Sequence, residues 1–325
     1  MKRIIAGILL LGIVSVAMAS NLDEVRKAIK KEKAKWTAGD TPVSGLSDWE
    51  QQRLLGAIIV GDFHATTAPS TKVTGRIKTP SRLDWRDKDG QNWVTPIKNQ
   101  GSCGSCWAFG SVAQLESVVM ISAGVADPDL DLSEQYIVSC DSINYGCDGG
   151  YMYPAYDFLR DTGTPDEECY RYLARDAYNG APCGDACPNP ALRRIASWSP
   201  VAYGVDSLKA AVCEHPITVT FWVHQDFFYY TGGIYKYTWG KMVGGHATCV
   251  VGWDNRGFIC KNSWGPEWGE GGYFRIAFNQ MSLKYPVRFG LGAGSFHMAL
   301  SAPPRFDTVI TLWGNIKENG DDTSK

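Results

Sequence analysis

The chain has 325 residues, enough for one or two domains with room for processing segments. Its net charge of −2, with both signs interspersed, gives no reason to expect a nucleic-acid partner. Ten cysteines behind a secretory start point to disulfides formed in an oxidising compartment.

Lys2 and Arg3 precede an apolar run from Ile4 to Val16, and Ala17-Met18-Ala19 offers a small-residue cleavage site. This is the pattern of a secretory signal peptide over 1–19 rather than of a spanning helix. No later run is long and apolar enough to cross a bilayer, so no membrane span is expected in the mature form. The signal sets the secretory route and leaves extracellular and lysosomal or vacuolar destinations open. Asp23 to Lys35 is charged and helix-prone, and Leu46 to Val60 mixes polar and apolar positions. Thr66 to Thr79 is rich in Thr, Ser, Pro and Lys, the exposed and unpatterned kind of segment where proteolysis concentrates.

Phe109, Val112, Leu115, Val118 and Val119 recur at helical spacing behind Cys106, and Gly124 with Asp127-Pro128 supplies a stop. The pattern predicts a helix that begins at Cys106. A thiol there sits at the positive end of the helix dipole, which favours the thiolate, the reactive form of cysteine. A shorter helix is expected from about Pro154 to Arg160, and strands over Ile217–Val223 and Tyr273–Ile276. Ala247 to Trp253 and Phe258 to Asn262 flank the turn signal Asp254-Asn255-Arg256-Gly257, which predicts a hairpin. Its open end brings His246 and Asn262 near one another. The Asn262 carbonyl then accepts from one ring nitrogen and leaves the other for a thiol, fixing the tautomer. Trp264 is placed to shield that bond. Gln100 and the Cys106 backbone N–H are the candidate donors to a tetrahedral oxyanion.

These residues carry a resemblance. Gln100-Gly101-Ser102-Cys103-Gly104-Ser105-Cys106-Trp107, Cys147-Asp148-Gly149-Gly150-Tyr151, Gly244-Gly245-His246-Ala247 and Asn262-Ser263-Trp264-Gly265 occur in the order and spacing of the papain-like cysteine peptidases. The resemblance covers most of 80–278. It implies an α+β, two-lobed papain-like fold, with a helical lobe at about 79–195 and a β-barrel-like lobe at 196–300 around a cleft. It also implies an inhibitory propeptide over 20–78, running backwards through the cleft, with a processing linker near Thr66–Lys78. Cys106, His246, Asn262 and Gln100 take the catalytic roles. Gly149, Gly150, Ala247, Trp264 and Trp268 take substrate-binding ones, Gly149 and Gly150 through close backbone approach to a bound peptide. No metal or organic cofactor is implied. The implied partners are peptide or protein substrates, the chain's own propeptide and cystatin-like inhibitors, on a monomer.

Trp36-Thr37-Ala38-Gly39-Asp40 and Gln225-Asp226-Phe227-Phe228-Tyr229-Tyr230-Thr231-Gly232-Gly233-Ile234-Tyr235 are similar to the cathepsin B branch. That branch has a long His-containing occluding loop that confers dipeptide release. The corresponding stretch here, Cys169 to Cys187, is short and lacks His, which implies an open cleft and endopeptidase activity. The family pairs Cys103 with Cys147, and the branch pairs Cys140 with Cys183 and Cys169 with Cys187. Cys213, Cys249 and Cys260 are then expected to be free thiols, with no Cys249–Cys260 bond. Gly290 to Ser295, near the expected specificity pocket, carries no acid and favours apolar side chains two residues before the scissile bond. The tail 301–325 has no assigned role.

Duller readings remain open at this level. Cys103-Gly104-Ser105-Cys106 is formally the C-x-x-C of a thioredoxin-like oxidoreductase, although no βαβ pattern surrounds it. Cys183 and Cys187 make a poor zinc site without a nearby His. A non-catalytic binding protein on the same scaffold is the other alternative, and such relatives usually lose the nucleophile or the base. His64, His215, His224 and His297 are expected to be surface or structural.

Overall fold

The computed structural model describes residues 21–59 and 79–298. The expected signal peptide, the expected linker with His64, and the tail 301–325 lie outside the described residues. In the N-terminal part, α1 covers 21–31, β1 Lys35–Ala38 and α2 Asp48–Gln52. Ser47 and Glu50 close a reciprocal capping box at the start of α2. Then come β2 (Leu83–Asp84), α3 (Cys106–Ala123), α4 (Glu134–Cys140), α5 (Met152–Asp161), β3 (Ser197–Pro200) and α6 (Val205–Glu214). The strands β4 (Ile217–His224), β5 (Tyr230–Tyr235), β6 (Met242–Trp253), β7 (Gly257–Lys261), β8 (Tyr273–Ala277) and β9 (Gly294–His297) complete the chain.

The long helix α3 starts at Cys106 as its sequence requires and stops at Gly124, whose φ of 67° is the left-handed conformation a glycine tolerates. It is apolar around most of its circumference, so it lies in the interior rather than on a surface. Two of its buried polar side chains bond to distant segments. Gln114 Nε2 donates to the Gly294 carbonyl at 2.8 Å and Gln114 Oε1 accepts from Thr218 N at 2.7 Å. Glu116 accepts from Lys98 at 3.1 Å and from Leu132 N at 3.0 Å.

The main sheet has the order β1-β5-β8-β7-β6-β2, with β4 also paired to β6. β6 and β7 form the expected hairpin, closed by Asp254, whose carboxylate accepts from Arg256 N at 2.7 Å and Gly257 N at 3.2 Å. β3 and β9 make a separate two-stranded sheet.

The lobes do not divide at residue 195. Trp85 and Val94 belong to the β-lobe core, with β2 paired to β6 and Trp85 Nε1 donating to the Val212 carbonyl at 2.7 Å. Conversely, Phe296 on β9 packs in the helical lobe with Tyr156 and Leu159. Each end of the domain therefore crosses to the lobe opposite the one its sequence position suggests. A buried ionic group fastens the two halves. Lys98 Nζ lies 3.1 Å from Glu116, 2.6 Å from Asp131 and 2.8 Å from Glu134. Lys261 Nζ donates to Thr95 Oγ1 at 2.8 Å, and Thr95 donates to Glu116. Burial pushes the Glu134 carboxyl up to about 8, with Lys98 opposing.

Three disulfides form as the resemblance implied: Cys103–Cys147, Cys140–Cys183 and Cys169–Cys187. Cys249 and Cys260 are buried free thiols, and Cys213 is a half-buried one. Because Cys103 is bonded to Cys147, the C-x-x-C pair is not a redox couple.

Candidate active site

Cys106 opens α3 and is fully buried. Its Sγ is approached by backbone N–H groups rather than by solvent. Gly56 N donates to it at 3.3 Å, and the amides of Ala247, Ala57 and Trp107 act on it too. Ala247 therefore contributes through its backbone, on the strand that carries His246.

His246 lies on β6 three residues before Cys249, which pairs with Lys261, and Asn262 directly follows Lys261 at the end of β7. That diagonal offset puts both side chains on one face. His246 Nε2 and Asn262 Oδ1 are 2.7 Å apart. The oxygen can only accept, so Nε2 carries the proton. Nδ1 forms no well-aligned hydrogen bond among the described residues. Trp264 covers the pair, with its ring centroid 4.8 Å from the imidazole. Trp264 in turn stacks on Phe228 at 5.5 Å and meets Trp268 edge-on at 5.0 Å.

With the cleft occupied, Trp268 has no exposed surface and is enclosed by Phe227, Tyr230, Trp264 and Phe274, so that it backs Trp264. The spacing within Trp264-Gly265-Pro266-Glu267-Trp268 does not disclose that packing.

Gln100 is buried and fully constrained. Ser263 Oγ donates to its Oε1 at 2.7 Å, which turns Nε2 towards the Cys103 carbonyl at 2.8 Å and the Leu54 carbonyl at 3.2 Å. The opposite wall is Gly149-Gly150, tied to the nucleophile's loop by the Cys103–Cys147 disulfide and by Gly104 N donating to the Cys147 carbonyl at 2.9 Å. Gly150 has no room for a side chain. A Cβ there would lie 2.6 Å from the Trp107 ring and 2.8 Å from Asn144.

The cleft is filled by residues 53–59. Gly150 N donates to the Gly56 carbonyl at 2.8 Å, Ile58 N to the Gly150 carbonyl at 2.9 Å and Ala57 N to the Gly245 carbonyl at 3.1 Å. Ala57 and Gly150 form a parallel bridge. Gly56 passes so close to the nucleophile's loop that a Cβ would lie 1.6 Å from the Gly104 oxygen. The segment is anchored further out by β1, which pairs antiparallel with β5. Trp36 on β1 is buried beside Tyr235, with ring centroids 5.3 Å apart.

Electrostatics follow from this filling. Exclusion of water pushes the Cys106 thiol up to about 11 and the His246 imidazole down to about 4, Asn262 opposing the latter. In the occupied cleft both groups are therefore neutral at neutral pH.

The other histidines among the described residues make contacts elsewhere in the fold. His215 bonds the Pro216 carbonyl at 2.8 Å and Ser295 at 3.1 Å, His297 bonds Ser199 at 3.0 Å, and His224 packs on Tyr237. Cys183 and Cys187 are consumed by disulfides, and no group of metal-ligating side chains gathers among the described residues.

The sequence pattern of the papain family cysteine proteases matches residues 79–286. The chain is 36% identical over 259 residues to the cathepsin B-like CP2 of Giardia intestinalis, covering 76% of this chain and 86% of that protein. It is 32% identical over 260 residues to papain of Carica papaya, covering 79% and 72%. The fold superposes on procathepsin B S9 of Trypanosoma congolense with a TM-score of 0.72 at 22% identity, covering 85% of this chain and 97% of that one. With a buried cysteine at a helix start, a histidine held by an asparagine, and most of its length matched by the family pattern, the chain belongs to the papain family of cysteine proteases.

Proposed function

We propose that the chain is the latent precursor of a cysteine endopeptidase, with Cys106 as nucleophile, His246 as general base and acid, and Asn262 orienting His246. Asn262 occupies Nε2 and leaves Nδ1 for the sulfur. Once the cleft is open to water, the desolvation that keeps both groups neutral is relieved and the thiolate–imidazolium pair forms. The thiolate attacks the substrate carbonyl. Gln100 Nε2 and the Cys106 N–H hold the oxyanion, and His246 protonates the leaving amine. Water activated by His246 then resolves the thioester. Gly149, Gly150 and Gly245 present backbone to an extended peptide, as they do to residues 56–58.

The observation that carries this reading is the Gly56 N–H on Cys106 Sγ. A hydrogen bond from the amide edge holds the sulfur near the peptide plane, whereas attack requires the sulfur over the carbonyl face. Gln100 Nε2 meanwhile contacts the Leu54 carbonyl, not that of Leu55. The peptide in the cleft is thus bound without being attacked, as expected of a propeptide over 20–78 that is removed by cleavage near 66–78. The reading extends to a signal peptide over 1–19 and to a secreted or lysosomal or vacuolar enzyme, which three disulfides support. An endopeptidase is favoured because the Cys169–Cys187 stretch carries no His. Ala57 shares an apolar cluster with Met152 and Ala247, and this supports an apolar preference on that side of the cleft.

Cys106→Ala is expected to abolish peptide cleavage and iodoacetamide labelling while leaving the thermal midpoint of the precursor near that of the parent. Residual cleavage at the parental rate would remove Cys106 from the mechanism. Cleavage of an internally quenched peptide blocked at its C-terminus separates endopeptidase action from dipeptide release.

A further inference from the structure

Ser105, the residue before the nucleophile, sits at the N-cap of α3 but makes no side-chain cap bond. Serine at that position ordinarily turns its oxygen onto the first-turn amides. Here its hydroxyl lies 2.6 Å from the phenol oxygen of Tyr172. The same phenol donates to the Gln100 carbonyl at 2.8 Å. A carbonyl only accepts, so the single Tyr172 proton is committed to Gln100, and Ser105 must be the donor to Tyr172. One oxygen therefore joins two chain segments: the one bearing the Gln100 side chain and the one leading into the Cys106 N–H.

Tyr172 is itself held from several directions. Its ring stands edge-on to Phe109 on α3, with centroids 4.8 Å apart. Its backbone N donates to Glu167 Oε1 at 2.7 Å, and Leu173 N to Gln135 Oε1 at 2.8 Å. From the other lobe, the Ser263 carbonyl accepts from Gln100 N at 2.9 Å and Ser263 Oγ fixes the amide's orientation. Gln100 is thus clamped between a β-lobe serine and a helical-lobe tyrosine.

We propose that Tyr172 is a positioning residue for the oxyanion site, its phenol oxygen setting the spacing between the Gln100 amide and the Cys106 backbone N–H. The inference rests on the assignment of those two groups as oxyanion donors. Oxyanion donors act only when aimed at the place where charge develops, and small displacements of such groups are costly in rate. Tyr172 touches neither substrate nor reacting atoms, so its influence passes through its two partners.

The test is Tyr172→Phe in the processed enzyme, which removes one oxygen and keeps the ring against Phe109. On a peptide substrate, kcat is expected to fall about 10-fold at unchanged KM, as for an interaction made only in the transition state. The alkylation rate of Cys106 by iodoacetamide, a displacement that develops no oxyanion, stays at the parental value. In a Gln100→Ala background the same substitution gives no further fall. An equal fall in both backgrounds, a parallel fall in alkylation, or an unchanged kcat would each overturn the proposal. Unaltered kcat in Gln100→Ala alone would overturn the donor assignment, and this inference with it. Should Tyr172→Phe fail to accumulate folded, Ser105→Ala breaks one arm of the bridge. It is expected to lower kcat about 3-fold with the same dependence on Gln100, and independence from Gln100 would be equally fatal.

Discussion

Two parts of the N-terminal segment grip the protease domain by different physics. Residues 35–38 bind as a strand on the edge of the main sheet, with Trp36 buried among aromatic rings. Residues 53–59 lie in the cleft mainly through backbone hydrogen bonds, and the residue at the sulfur is a glycine with no space around it. The first part buries a large apolar side chain far from the chemistry and supplies affinity. The second fits closely around Cys106 and, in the proposed function, supplies latency. Anchoring and silencing are therefore separable, and each should fail in its own way.

The largest effect is expected at the anchor. Trp36→Ala removes a buried ring at a cost of about 3–5 kcal/mol. The precursor should then label rapidly with iodoacetamide at Cys106 before any processing, whereas labelling as slow as in the parent would place the anchor elsewhere. Next in size is pH. In the occupied cleft the single proton sits on Cys106 and His246 is held near 4, below the ordinary value of 6.5; in the open cleft the thiolate–imidazolium pair also holds one proton, so the open form binds more only once its thiolate is protonated in acid. Docking is then insensitive to pH near neutrality and weakens in acid, below the pH at which the open thiolate takes up a proton, by up to ~1.4 kcal/mol per unit. Labelling of the precursor with an alkylating agent across pH 4–7, corrected for the processed enzyme, reads this slope, and a flat profile would contradict it.

Gly56→Ala comes third. The new methyl must displace the segment from Gly104, at about 1–3 kcal/mol. Cys106 should become reactive while the Trp36 contact persists, seen as retained quenching of Trp36 fluorescence against a Trp36→Phe control. Joint loss of both would show that the two parts are a single unit. The smallest effect is at the rim. Asp48 and Lys241 are 3.7 Å apart and largely exposed, so Asp48→Asn should change precursor stability by less than ~1 kcal/mol.

The catalytic constellation was legible because each of its parts is local. α3 announces itself through helical spacing behind Cys106, and the β6–β7 hairpin through two apolar runs around Asp254-Asn255-Arg256-Gly257. Period and turn chemistry act within a few residues, so they survive in the sequence without knowledge of the fold. The disulfides followed from the resemblance, not from spacing. α4 and α6 went unforeseen, and so did β1, whose pairing with β5 joins segments nearly two hundred residues apart.

What the amino-acid order determined by itself is the inventory: a thiol at a helix start, a histidine and an asparagine on one hairpin, an amide donor upstream, and ten cysteines. What the tertiary structure alone decided is the company those groups keep. The burial of Lys98, Glu116, Glu134 and Lys261 together, the packing of Trp268 behind Trp264, the exchange of chain ends between lobes and the Tyr172 bridge all depend on contacts between distant segments. Burial and desolvation are properties of the surroundings and not of the residue, so no local pattern encodes them. For the same reason the cysteine and histidine that the sequence marks as reactive are held neutral here by the exclusion of water from the filled cleft.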